Sequence, residues 1–271
     1  STQGYLDTCE AASRPDAIAS ANWLASARAV ARHMDNAIFI DMGSTTTDVI
    51  KIVDKQLCLH GMTDFDRLKS AELIYTGVVR SCVNTITHHV VYRDDRVPLV
   101  AENFATMADV YRILGLLPDH ADLGETMDHQ PKDELSSLRR LARMVGADYQ
   151  EQDHDDWLAV ANYLSLRQKQ HIINKIKNIN ADHPGIRTIV AAGIGRFLVR
   201  QIAGDLNFQY QDFADCVVPE EVQTNSTASD CAPAIRGSIG LATSVRISWR
   251  RFTSQPLLQQ LVPPIRFCAT R

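Results

Sequence analysis

Apolar positions over 16–34 recur at helical spacing. Ile18, Ala21, Leu24, Ala25, Ala29 and Val30 share a face, and Asp16 is placed to cap the segment. The period then changes. Ala37-Ile-Phe-Ile-Asp41 is an unbroken apolar run ending in an acid, which predicts a strand buried on both faces. A small, hydroxyl-rich turn follows, and Asp48-Val-Ile-Lys-Ile-Val53 predicts a second strand, so the unit reads as a hairpin. Gln56 to His60 predicts a third strand.

Further along, the pattern predicts a short helix over 68–76 and strands over 85–92 and 97–100. A helix over 103–117 is ended by Pro118, and the polar stretch 119–133 reads as a loop. Glu134 to Val145 predicts a helix with an arginine-rich face. From His154 to about Ala181 one long helix carries a stripe of Trp157, Val160, Ala161, Leu164, Ile172, Ile173 and Ile176. His183-Pro-Gly185 breaks it. Thr188 to Ala192 is a buried strand, Gly193-Ile-Gly195 a glycine turn, and Arg196 to Ala203 a helix. Strands alternating with helices predict an α/β fold.

Composition changes this picture little: 45% apolar and 22% charged over 271 residues is ordinary globular usage. It excludes disordered, collagen-like and coiled-coil chains. No window holds the ~18 apolar residues of a membrane helix. The first ten residues do not read as a signal peptide, so the expectation is cytoplasmic. The six cysteines, Cys9, Cys58, Cys82, Cys216, Cys231 and Cys268, form no C-x-x-C pair and read as reduced thiols. Charge is uneven: after Asp230, the last acid, come six arginines and no lysine. A basic tail can bind nucleic acid or anionic lipid, but interspersed apolar residues and Pro263-Pro264 argue against both here.

The sharpest chemical signal is Asp41-Met-Gly-Ser-Thr-Thr-Thr-Asp48. An acid at a strand end, then glycine and hydroxyls, suits phosphate with magnesium. Gly43 lets the backbone approach an anion. Ser44, Thr45 and Thr46 offer hydroxyl donors, and Asp41 and Asp48 can hold the metal directly or through water. The same residues also suit an ordinary hairpin turn. Gly193 and Gly195 form a second candidate, which reads equally as a close strand–helix connection. His120, Asp122, Asp128 and His129 offer a loop metal site, with a solvated loop the commoner alternative. His88 and His89, adjacent on a predicted strand, point to opposite faces.

These two segments resemble the actin-like ATPase superfamily, with its ribonuclease H-like fold. Asp41–Asp48 is similar to its second phosphate loop, and Ala191-Ala-Gly-Ile-Gly195 to its adenosine-side glycine turn. A series in fixed order narrows the resemblance: Ser20-Ala-Asn-Trp23, Asp41–Asp48, Thr63-Asp-Phe-Asp-Arg67, Glu72-Leu-Ile-Tyr-Thr-Gly-Val-Val-Arg80, Phe104-Ala-Thr-Met-Ala-Asp109 and Arg140-Leu-Ala-Arg143. Over about 16–235 the chain resembles hydantoinase/oxoprolinase-related proteins of one-carbon metabolism linked to tetrahydromethanopterin.

That resemblance implies a transferase of methanofuran-type cofactor synthesis. It would join a furanmethyl diphosphate to a tyramine or tyrosine phenol, forming an aryl ether and releasing pyrophosphate. Asp41 and Asp48 would hold Mg2+. Gly43, Ser44, Thr45, Thr46, Arg80, Gly193 and Gly195 would bind phosphate. Asp64, Glu72 and Asp109 would supply the base. For Asp64, Glu72, Arg80 and Asp109 taken singly, a salt bridge or helix cap is the commoner explanation. The alternatives are an ATP-dependent hydantoinase/oxoprolinase-like hydrolase, a small-molecule kinase, or a fragment without catalysis.

The family pattern also implies a first phosphate loop, Asp-x-Gly-Gly, ahead of Ser20, and none precedes it here. The expectation is an actin-like region over 1–235, incomplete at its N-terminus, with a basic tail over 236–271. The expectation is then a homo-oligomer or a partner that supplies the missing lobe.

Overall fold

A computed structural model describes residues 22–217. The Asp16 cap, the Ser20-Ala21 pair, Cys9, Cys231, Cys268 and the 236–271 tail lie outside the described residues. Helix α1 (Asn22–His33) leads into β1 (Ala37–Met42), β2 (Thr47–Val53) and β3 (Gln56–Cys58). Helix α2 (Asp64–Ser70) and β4 (Leu73–Ile74) come next, then α3 (Val83–Ile86) and the ribbon β5 (His89–Tyr92) and β6 (Asp95–Pro98). Helices α4 (Met107–Ile113), α5 (Glu134–Arg143) and α6 (His154–Ile179) precede β7 (Thr188–Ala192), α7 (Arg196–Leu206), β8 (Gln209–Asp212) and α8 (Phe213–Val217).

The main sheet runs β3-β2-β1-β7-β8, with β4 also paired to β2. β1 is antiparallel to β2 and parallel to β7, and β7 is parallel to β8. The apolar runs of β1 and β7 arise because both faces are covered. Ile38, Ile40, Met42, Ile189 and Ala191 join the core against α4, α6 and α7. The alternate residues Ala37, Phe39, Val190 and Ala192 pack with Trp23, Leu24, Ala27, Val30 and Phe213 of α1 and α8. This is the α/β architecture expected from the alternation.

Several boundaries move, for physical reasons. The helix expected over 68–76 is α2, which starts four residues earlier. Thr63 caps it, its hydroxyl accepting from the Asp66 amide at 3.2 Å. Ala71, at φ 65°, turns the chain out of helix, and residues 73–74 then pair with β2. The strand expected over 85–92 is a turn of helix, α3, followed by β5; a Cys82–Thr106 bridge pins the turn's start. The helix over 103–117 shrinks to α4, which begins where the Asp109 carboxylate accepts from the Thr106 amide at 3.0 Å. Gly115, at φ 64°, marks its exit. β8 and α8 carried no clear sequence signal. The loop over 119–133 and the long helix α6 are as expected.

Candidate functional site

Register builds the site. Asp41 and Asp48 are direct cross-strand partners, and Asp41 also sits opposite Ala192 of β7. The tip of the β1–β2 hairpin and the glycine turn after β7 therefore lie side by side, at the carboxyl ends of parallel strands. That is where ligands bind in open α/β sheets.

The tip is a tight loop closed by the Gly43 amide donating to the Thr46 carbonyl at 2.9 Å. Its carbonyls face the segment after β4. Gly43 O accepts from the Val78 amide at 3.1 Å, and Ser44 O from the amides of Val79 and Arg80 at 3.1 and 2.8 Å. The amides of Ser44, Thr45 and Thr46 have no hydrogen-bond partner among the described residues. Two carbonyls of the loop are thus consumed by structure while three successive amides remain unpaired, and such amides can bind an anion.

Two close approaches hold this geometry. A Cβ on Gly77 would fall 2.5 Å from Ser44 C and Thr45 N, so only glycine lets the second segment pass. Gly193 has φ 85°, and a Cβ there would come within 2.6 Å of Asp41 Oδ1. Gly195 donates its amide to Met42 O at 2.8 Å. The glycine turn is therefore packed against the hairpin.

Electrostatics separate the two acids. Asp41 has no hydrogen-bond partner among the described residues, and its pKa is pushed up to about 7, by burial first and by the Asp48 charge second. Burial also raises Asp48, but the Arg67 guanidinium opposes this, donating to its Oδ1 at 2.6 Å. Arg67 is itself buried, lies over the Trp23 ring at 3.7 Å and donates to Glu72 O at 3.3 Å. Asp48 has a fixed counter-ion and Asp41 does not.

The other expected residues divide. Ser44, Arg80 and Asp109 line one cavity of about 650 Å3, together with Asp122, Leu123 and Met127. Arg80 is exposed and has no side-chain partner among the described residues. Asp109, by contrast, is engaged at both oxygens. Oδ2 takes the Thr106 amide, while Oδ1 accepts from Ser137 at 2.9 Å and Arg140 at 2.8 Å. It is a helix cap and buried ion-pair centre. Asp64 and Glu72 do not line this cavity, and of the hairpin tip only Ser44 does: Asp41, Gly43, Thr45, Thr46 and Asp48 lie outside its lining, as do Gly193 and Gly195. Asp64 opens α2 on the surface, and buried Glu72 accepts from the amide and ring of His60, both at 2.8 Å. The loop residues considered for a metal are instead ion-paired: Asp122 with Arg112 and Lys132, Asp128 with Arg140, His129 with Glu125.

The model of the hydantoinase/oxoprolinase family matches residues 1–215. The chain belongs to the hydantoinase/oxoprolinase family. Two curated relatives are similar to it. One, from Methanocaldococcus jannaschii, is 32% identical over 70% of this chain and 57% of its own length. The other, from Methanococcus vannielii, is 28% identical over 65% of this chain and 79% of its own. Both are named (4-{4-[2-(gamma-L-glutamylamino)ethyl]phenoxymethyl}furan-2-yl)methanamine synthase. The chain thus spans little more than half of the Methanocaldococcus protein. Among the described residues no helix is long and apolar enough to cross a membrane.

Two residues that shape this family member's site were not anticipated as such. Arg67 was visible only as part of a motif. Gln168, fully buried in α6, donates to Thr76 Oγ1 and Gly77 O at 2.7 and 2.9 Å and accepts from Tyr111 at 2.5 Å. It fixes the segment that crosses behind Ser44. Its signal was a polar residue four after Leu164 and four before Ile172, inside an apolar stripe.

Proposed function

We propose that this chain carries the diphosphate site of an enzyme of methanofuran-type cofactor synthesis, in which a phenol displaces pyrophosphate from a furanmethyl diphosphate. The observation that carries the reading is the hairpin tip, with three unpartnered amides beside an acid that lacks a counter-ion. The names of the relatives, which describe a phenoxymethylfuran, support the ether product. In the reaction the phenol oxygen bonds to the furanmethyl carbon. The carbon–oxygen bond to diphosphate breaks, pyrophosphate leaves with the electron pair, and the phenol proton passes to a carboxylate.

The residues fit magnesium. Among the described residues no group of three or more His, Cys, Asp and Glu could hold a metal. Magnesium needs no such cage: it keeps its waters and binds through one or two carboxylates plus phosphate oxygens. Asp41 and Asp48 would supply those carboxylates. The ion would offset the charge of the departing diphosphate. Ser44, Thr45 and Thr46 would orient the phosphates through amides and hydroxyls, and Arg80, whose amide donates to Ser44 O, would meet them from beside the tip. The sheet supports a ribonuclease H-like lobe of the actin-like kind, since a three-stranded meander continues into two parallel strands. Asp109, tied to Arg140, would act as a positioning residue.

Calorimetry of magnesium pyrophosphate with the full chain tests this. Binding is expected in wild type, lost in Asp41→Asn and at least tenfold weaker in Arg80→Ala. Equal affinity in all three, or magnesium-dependent ATP hydrolysis by the chain, overturns it.

A further inference from the structure

Arg67 of α2 stands where a guanidinium gains little stability. It is buried and meets one carboxylate, that of Asp48, at 2.6 Å. Glu72 offers it only a backbone carbonyl, at 3.3 Å, and turns its own carboxylate to His60. The Nε of Arg67 is buried and has no partner among the described residues. Taking a charge out of water for one ion pair and an incomplete set of hydrogen bonds is at best neutral for folding. The placement is nevertheless fixed. The Trp23 ring of α1 is buried too, and its centre lies 3.7 Å from the guanidinium carbon. A guanidinium stacked on an aromatic ring and donating to two acceptors is held on three sides.

This fixed charge acts on the hairpin tip. Asp41 and Asp48 are cross-strand partners. Arg67 takes Oδ1 of Asp48 and leaves Oδ2 without a partner among the described residues. With its charge counted, two carboxylates and one guanidinium leave a single net negative charge. Asp64, whose charge also reaches Asp48, is exposed, so water and salt screen it. Among the described residues no third His, Cys, Asp or Glu completes a metal-binding group there. A divalent ion is held by the number and charge of its oxygen ligands, and this acid pair is short of both.

We propose that Arg67, clamped by Trp23, is a positioning residue that makes metal binding depend on the diphosphate. It weakens the acid pair toward a bare divalent cation, so Asp41 and Asp48 hold the ion only when phosphate oxygens join them. The proposal rests on the diphosphate reading and adds the residue that sets the order of binding. Without the Arg67 charge, Asp48 offers both oxygens and the pair carries two net negative charges, enough to take the ion alone.

Manganese is the probe, because its paramagnetic resonance reports free ion directly. It is titrated alone into the full chain, and magnesium pyrophosphate is titrated separately by calorimetry. Wild type is expected to bind magnesium pyrophosphate about tenfold or more tighter than manganese alone. Arg67→Gln is expected to bind manganese alone about tenfold or more tighter than wild type does. Arg67→Lys keeps the charge and should behave as wild type, and adding Asp48→Asn to Arg67→Gln should abolish the gain. A damaged fold lowers affinity and does not raise it, so the gain separates this role from a structural one. Circular dichroism checks each variant, and the two wild-type titrations require no variant at all. Manganese bound by wild type as tightly as magnesium pyrophosphate overturns the proposal, as does a folded Arg67→Gln with no gain. Either result leaves the diphosphate reading standing. Failure of wild type to bind magnesium pyrophosphate overturns both.

Discussion

Replacing Asp41 by Asn separates what the site does from what it costs. The carboxyl moves from its ordinary 3.8 to about 7 on folding. Between those values the folded chain binds a proton that the unfolded chain has released. Stability therefore falls as pH rises from about 4 to about 7, and this contribution is flat above. At about 1.4 kcal/mol per tenfold change in proton affinity, holding the ionised group costs at most about 4 kcal/mol. Asn keeps the shape and cannot ionise, so the variant lacks this loss. Urea denaturation at pH 5 and pH 8, with EDTA present, reads the difference. The variant is expected to exceed wild type by roughly 1–2 kcal/mol at pH 5 and by about 2–4 kcal/mol at pH 8. A gain of about 2 kcal/mol would raise the melting midpoint by roughly 4–8 °C. Magnesium with pyrophosphate should restore wild type at pH 8 and leave the variant unmoved. A variant no more stable at pH 8, or one that still gains stability from magnesium pyrophosphate, refutes the reasoning.

Gln168→Leu removes three buried hydrogen bonds. It leaves Gly77 O without a partner and Tyr111 Oη with Ser165 alone, so urea denaturation should show a loss of about 1–3 kcal/mol. Gly77→Ala puts a methyl 2.5 Å from the backbone of Ser44 and Thr45, where no rotamer can relieve it. Calorimetry should show pyrophosphate affinity falling more than tenfold, and stability by about 1–3 kcal/mol. Asp109→Ala takes from the buried Arg140 one of its two carboxylate partners, leaving Asp128, and removes the carboxylate that caps α4. A loss of about 2–4 kcal/mol is expected, with faster amide exchange at the start of α4 by NMR.

The sequence by itself determined four strands of the central sheet, β1, β2, β3 and β7, and neither β4 nor β8; β1 and β7 stand out because they are buried on both faces and leave unbroken apolar runs. It determined the hairpin tip, because glycine and hydroxyls between two acids have few other uses. It also determined the stripe of α6. Only the tertiary structure decided which carboxylates face which partners. Asp41 and Asp48 look alike in sequence, yet Arg67, arriving from another helix, neutralises one and leaves the other. Asp109 stands in a family motif like Arg80, but the fold brings Arg140 to it and leaves Arg80 open. Local pattern reports how a residue lies on its own element. Charge pairing and close backbone approach depend on segments distant along the chain: Gln168 meets Gly77 across 91 residues, and no local period encodes that meeting.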